Sequence, residues 1–247
     1  MLIVGAFYGY INGVPSISNF VVNQLPTSID NEVGQEVSNI IIQGAPIDEE
    51  KTELLKQFYS ELNFDSKTKV YVVKANVFNA FSLPDNSIFI FSKVLQDVNS
   101  YSELSALLGH EYSHIKFRHS MKELAQSLSW ELLRELITGG DNSDKFVRNS
   151  NQLLTLKNSR KFETEADLNG LQLLRQQRID QNGMIDLFKT IMKQPDENKN
   201  KTPTYLSTHP DTQDRLAEAE EAIKDNPSEH SNNARLDELF GELKAGN

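Results

Sequence analysis

Cysteine is missing from the chain altogether. Disulfide frameworks, thiol nucleophiles and cysteine-ligated zinc go with it, so any metal site has to be built from histidine and carboxylate. Histidine itself is scarce, at five residues, so a pair of them at ligand spacing stands out. Basic charge is short as well: 25 Lys and Arg face 35 Asp and Glu, a formal charge of -10. Such a surface repels nucleic acid and anionic membrane, and no nucleic-acid partner is expected. Long hydrophobic runs are lacking too. The apolar start from Met1 to Ile11 is about 11 residues against the roughly 20 of a membrane-spanning helix. It has no basic leader and no small-residue cleavage site. It reads either as a buried strand or helix start, or as the trailing part of a membrane anchor.

What is present is enough apolar material, 38% of 247 residues, for one sizeable core. No internal repeat interrupts the chain. Val14 to Pro46 is rich in Pro, Ser, Asn and Gly and reads as a wrapping segment with short helical pieces, punctuated by Pro26 and Gly34. Asp48 to Leu62 carries Leu54, Leu55, Phe58 and Leu62 at helical spacing behind an acidic first turn. Lys69–Lys74 and Ser87–Phe91 are β-branched and aromatic, with turn chemistry at Leu83 to Ser87, and predict a small antiparallel sheet. Helix signals dominate afterwards. Ser100 and Glu103 form a capping box before the segment that carries His110 and His114. A second helix is expected over Ser120 to Ile137, stopping at Thr138 to Asn142, and a further pair over Asp144 to about Arg178 with a break near Gly183. Lys193 to Pro203 reads as a polar loop, and the charged stretch from Pro227 as a mobile tail with one amphipathic piece at Leu236 to Leu243.

The chemistry concentrates in His110-Glu111-Tyr112-Ser113-His114. Four residues on an α-helix turn about 40° and rise one turn, so both imidazoles reach one ion. Glu111 stands on the adjoining side, among leucines, where a desolvated carboxylate serves as general base to a water activated by zinc. Catalytic zinc needs a third protein ligand. A metzincin continuation is excluded because Phe117 and Ser120 occupy its glycine and histidine places. The candidate is Glu163, on a helical segment whose Ala166 and Gly170 share its face and allow close backbone packing. Asp167, one turn on, is placed to hold a ligating imidazole, and Glu165 points elsewhere.

These residues resemble the gluzincin family that includes the HtpX-like heat-shock peptidases, the Oma-type mitochondrial quality-control peptidases and the CAAX prenyl endopeptidases. The likeness extends to Asn79-Ala80-Phe81-Ser82-Leu83-Pro84, to Ser159 through Asp167, and to Ser207-Thr208-His209-Pro210 with Arg215, four motifs in order. Where the family usually has Gly-Gly after Leu-Pro, this chain has Asp85-Asn86. The resemblance implies His110, His114 and Glu163 as ligands of one zinc per chain, Glu111 as catalytic base and Asp167 as supporting carboxylate. His209 is a candidate oxyanion donor or gating fourth ligand, with a helix-start cap as the plain alternative, and Arg215 is a second oxyanion candidate. A substrate strand is expected to pair along Asn79, Ala80 and Phe81, although Phe78 and Phe81 also read as core aromatics.

The reading is a mostly helical α+β zincin-like domain with a small antiparallel sheet, a zinc metalloendopeptidase of proteins or long peptides. Residues 1–47 form an N-terminal segment, 48–226 the peptidase domain and 227–247 the tail. Cell-envelope quality control on the periplasmic side of a bacterial membrane is the expected setting. The rivals are a client-binding protein that keeps the zinc fold, against which the intact Glu111 speaks, and a purely structural histidine site.

Overall fold

A computed structural model describes residues 19–127, 157–194 and 204–245. The expected helix stretch to Ile137 with its stop, the helix opening at Asp144 and most of the polar loop lie outside the described residues. So does the apolar start.

The expected wrapping segment holds one short helical piece, residues 19–24, and after Pro26 a long helix, α1 (Thr27–Gly44), where only short pieces were expected. Pro26 stands just before it, where a missing N–H costs nothing. Gly34 does not break the helix. It lies against the next hairpin, and a Cβ there would come within 2.3 Å of the Asp85 backbone nitrogen. Helix α2 (Glu49–Leu62) forms as expected. Asp48 caps it by accepting the Lys51 N–H, Glu49 and Glu50 sit in the first turn, and Asn63 ends it in the left-handed conformation.

The three strands β1 (Lys69–Val73), β2 (Ala80–Leu83) and β3 (Ser87–Phe91) are ordered β1-β3-β2. The antiparallel sheet expected from β1 and β3 is in fact mixed: β1 runs parallel to β3, and β2 supplies the antiparallel partner. Alternation fixes which side chains share a face but says nothing about strand direction. Both faces of β3 are buried. Ile88 and Ile90 join the main helical core, while Phe89 and Phe91 face the cluster beneath α1. Tyr71, Phe89 and Phe81 oppose one another across the three strands, with ring centroids 4.9 and 5.3 Å apart. In the turn, Asn86 takes a positive φ of 63°, a conformation asparagine tolerates. Asp85 accepts hydrogen bonds from Ser38, Ser87 and Lys69, which fastens α1 to the hairpin.

After the short α3 (Ser92–Asp97) comes α4 (Tyr101–Lys116), capped by Ser100, which accepts the Glu103 N–H. The Glu103 carboxylate reaches one residue beyond the cap, to the Asn99 N–H. Arg118 turns the corner out of α4 in the left-handed conformation and forks onto Asp30 of α1 at 2.6 and 2.7 Å. The chain continues through α5 (His119–Ser127), α6 (Arg160–Gln176), α7 (Asn182–Met192), α8 (Thr204–Thr208) and α9 (Thr212–Asp225). The break expected near Gly183 falls between α6 and α7, and Gly183 itself stands in the first turn of α7, where a Cβ would collide with the Ser102 carbonyl at 2.4 Å.

The expected mobile tail gives way to α10 (Ala234–Lys244), whose Leu236, Leu239 and Leu243 are fully buried in the main core. Its average composition is polar, but its leucines stand on one stripe against α2. Among the described residues no helix is long and apolar enough to cross a membrane.

The docking of α1 is testable through its two glycines. Gly34→Ala is expected to cost about 1–3 kcal/mol by overpacking. Gly44→Ala, where a Cβ meets nothing within 4 Å, should be neutral or slightly stabilising. Urea unfolding of both variants measures this, and equal midpoints would contradict the close approach.

Candidate metal centre and catalytic site

The site is assembled where α4 crosses α6. Gly109 and Gly170 face each other there, a Cβ on Gly109 lying 3.5 Å from the Gly170 Cα. Larger residues would hold the helices apart. The crossing sets His110 and His114 of α4 opposite Glu163 of α6, and the turn after α8 adds His209. Their donor atoms all lie within 4.8 Å of one another, and all four residues are buried. His110 Nε2 is 3.0 Å from His114 Nε2 and 3.3 Å from His209 Nδ1, and Glu163 Oε1 is 3.0 Å from His209 Nδ1 and 3.4 Å from His114 Nε2. Imidazole nitrogens and a carboxylate turned inward at this range fit zinc, which takes N and O ligands in a tetrahedral set.

Both α4 histidines are held from behind. His110 donates from Nδ1 to Asp167 at 2.8 Å, as expected. His114 Nδ1 lies 3.0 Å from His119 Nδ1, and His119 Nε2 lies 3.2 Å from Glu165. If His119 donates to Glu165, its Nδ1 accepts from His114, so each ligating ring turns its Nε2 lone pair to the centre. His119 also stacks on Phe162 at 4.3 Å. Sequence reasoning missed His119 and set Glu165 aside. The left-handed corner at Arg118 carries His119 back beside His114, and helical spacing cannot foresee such a reversal. The usable signal was the histidine count, since four of five converge here.

Arg215 is placed differently from the expectation of an oxyanion contact. Only 2% exposed, it forks onto Asp167 at 2.7 Å twice, pairs with Glu163 and lies over the Phe188 ring. Burial opposes ionisation of Glu163, but the charges of His209 and Arg215 hold its pKa well below the ordinary value. Asp167 is likewise lowered against its burial by Arg215. Burial lowers the His114 pKa and favours the neutral ring a ligand requires. For His209 burial is outweighed by Glu163, and the pKa rises. Nor is His209 the cap of α9, since Asp211 precedes that helix with a φ of 62°. Tyr205 stacks on the His209 ring at 4.3 Å.

Glu111 is 1% exposed, and its Oε1 has no hydrogen-bond partner. That atom lies 3.7 Å from His209 Nε2, and the residue lines a cavity of about 470 Å³ shared with His114 and His209. Asn79 and Phe81 line the same cavity, whereas Ala80 packs into the core on the opposite face of β2. A buried carboxylate with one oxygen free of hydrogen bonds next to the donor cluster can accept a proton from a water in the cavity.

The profile of peptidase family M48 matches residues 48–223. Mitochondrial metalloendopeptidase OMA1 of Schizosaccharomyces pombe is 32% identical over 161 residues, covering 64% of this chain and 47% of the relative. Metalloprotease YcaL of Escherichia coli is 24% identical over 152 residues, covering 59% and 58% of the two chains. Metalloprotease LoiP of the same organism is 28% identical over 131 residues, covering 51% of each. The chain spans about half the length of these curated relatives.

Arg215→Met leaves two buried carboxylates without their counter-charge, and is expected to destabilise the zinc-free chain by about 3–5 kcal/mol. Urea unfolding measures it, and a midpoint equal to that of the unsubstituted chain would remove Arg215 from this role. The lowered pKa values of Glu163 and Asp167 contribute stability present above the unfolded carboxylate range, about pH 4. That stability is lost as pH falls through the lower folded values. Acid unfolding of the zinc-free chain should therefore steepen below about pH 4, and a flat acid limb would contradict the pairing.

Proposed function

The chain belongs to peptidase family M48, and from that premise we propose that it is a zinc-dependent metalloendopeptidase acting on proteins or long peptides. The observation that carries the proposal is a buried His110, His114 and Glu163 set beside Glu111, whose Oε1 has no hydrogen-bond partner and which shares a cavity wall with His114. Zinc held by these residues supplies a Lewis acid that lowers the pKa of water to roughly 7 and polarises a carbonyl.

This chain's own groups do the rest. Glu111 takes the proton of the attacking water and passes it to the leaving amine nitrogen. Asp167 and His119 hold the two imidazoles in register, and Arg215 keeps Glu163 and Asp167 charged where burial would neutralise them. Edge strand β2 offers its outer side to an extended substrate backbone. In this arrangement His209 completes the donor set, and its release toward the cavity gives a donor for the oxyanion of the attacked carbonyl. The names of the relatives, metalloendopeptidase and metalloprotease, support the same activity.

The peptidase unit runs from residue 48 and extends past residue 226 to include α10, which closes its core. The apolar start from Met1 to Ile11 supports attachment to a membrane, with the acidic domain outside the bilayer. For a bacterial protein this is the periplasmic side, in cell-envelope quality control.

Elemental analysis of the purified chain given zinc should find about one ion per chain, and a chelator should abolish proteolysis. Glu111→Gln should keep the zinc and lose about 10²–10⁴ in kcat, and an active variant would end the assignment. His209→Ala should retain zinc through the remaining three ligands and change kcat on a protein substrate. Unchanged kinetics would leave His209 without a part in turnover.

A further inference from the structure

The cavity beside Glu111 has two unlike walls. One carries the reacting groups. The other is apolar, formed by Ile41, Gly44 and Ala45 at the C-terminal end of α1 together with Phe81 and Phe91 of the sheet. No ligand, base or supporting residue of the site comes from α1, which lies outside the span matched by the family profile. The helix is nevertheless fixed beside the cavity by Gly34 against Asp85, by Ser38 bonding Asp85 and by Arg118 gripping Asp30.

We propose that the last turn of α1, with Phe81 and Phe91, forms a specificity pocket for one bulky apolar side chain of the substrate, aromatic or large aliphatic, next to the scissile bond. The proposal rests on the endopeptidase reading above.

Three observations carry it. First, α1 is seated on the hairpin at Gly34, where a Cβ would lie 2.3 Å from Asp85, and its end packs through Ile41 and Ala45 on the cluster that includes Phe81 and Phe91. These side chains make one continuous apolar wall of the cavity, and Gly44 leaves open space in it, since a Cβ there would meet nothing within 4 Å. Second, that space is continuous with Glu111, His114 and His209 in one cavity of about 470 Å³, inside the about 300–1,000 Å³ of small-ligand pockets. Third, Asn79, at the head of β2, lines the cavity with a buried side-chain oxygen that has no partner. A substrate strand laid along β2 would bring a backbone N–H to that oxygen, and its alternate side chains would point to the face that holds Phe81 and Phe91. Of the two acids that line the cavity, Glu111 belongs to the reacting groups and Glu123 is already engaged by the Ser159 N–H at 2.9 Å, so the pocket's character is set by its apolar side.

The test uses the full chain loaded with zinc and a peptide library. Selection of aromatic or large aliphatic residues over alanine by at least about tenfold is expected at one position flanking the cut. The series Gly44→Ala, Gly44→Leu and Gly44→Phe should erode that selection in step with side-chain volume, with zinc content and circular dichroism confirming the fold of each variant. A second readout needs no turnover. A fluorescent peptide carrying Phe should bind the Glu111→Gln chain about tenfold more tightly than its Ala counterpart, and Gly44→Phe in that background should close the gap.

A preference for basic residues, no preference, or a preference untouched by Gly44→Phe would overturn the pocket. If the loaded chain cuts nothing while the binding gap exists and closes with Gly44→Phe, the pocket stands and the endopeptidase reading falls. If cleavage occurs without selection and the binding gap is absent, the pocket falls and the reading stands.

Discussion

Glu163 and Asp167 sit one turn apart on α6, and both are buried. Two anions at that depth must be compensated locally, because a buried charge without a partner costs several kcal/mol. Arg215 meets that requirement with a fork onto Asp167 and a pairing to Glu163. It comes from α9, so the C-terminal helices are tied to the chemistry of the centre. Phe188 of α7 covers the guanidinium and ties in that helix too. The acidic side of the site is thus a structural element of the domain, and removing any member exposes the others to an unbalanced field.

Backbone proximity is the second constraint. His110 and His114 converge with Glu163 only because α4 and α6 cross at Gly109 and Gly170. The same helix, α4, ends in the left-handed Arg118, which both turns His119 back behind His114 and reaches out to α1 through Asp30. One residue therefore links the rear support of a ligand to the helix that walls the cavity. Burial of His114, His119 and Asp30 gives this arrangement its rigidity, since close-packed interiors transmit displacement rather than absorb it.

The sequence by itself determined what is local. The i, i+4 pair of histidines, the Ser100 cap of α4, the Asp48 cap of α2, the Ala166 and Gly170 stripe beside Glu163, and Asp167 one turn on all follow from helical geometry and short-range hydrogen bonding. Four motifs in order were enough to place the family, and the donor cluster stands at the residues those motifs named.

Tertiary structure alone decided the rest. The direction of β1 against β3, the continuity of α1 through Gly34, the burial of α10 and the employment of Arg215 on carboxylates depend on partners 18 to more than 100 residues away. His119 is only five residues from His114, yet their contact depends on a single left-handed backbone position. Alternation and periodicity state which face of an element is apolar, not which element will cover it. The amphipathic piece at Leu236 to Leu243 was legible, but not that the core takes it up, and a glycine that reads as a breaker became a contact point once another backbone stood beside it. Those outcomes are settled by which surfaces meet, and that is a property of the whole packed chain.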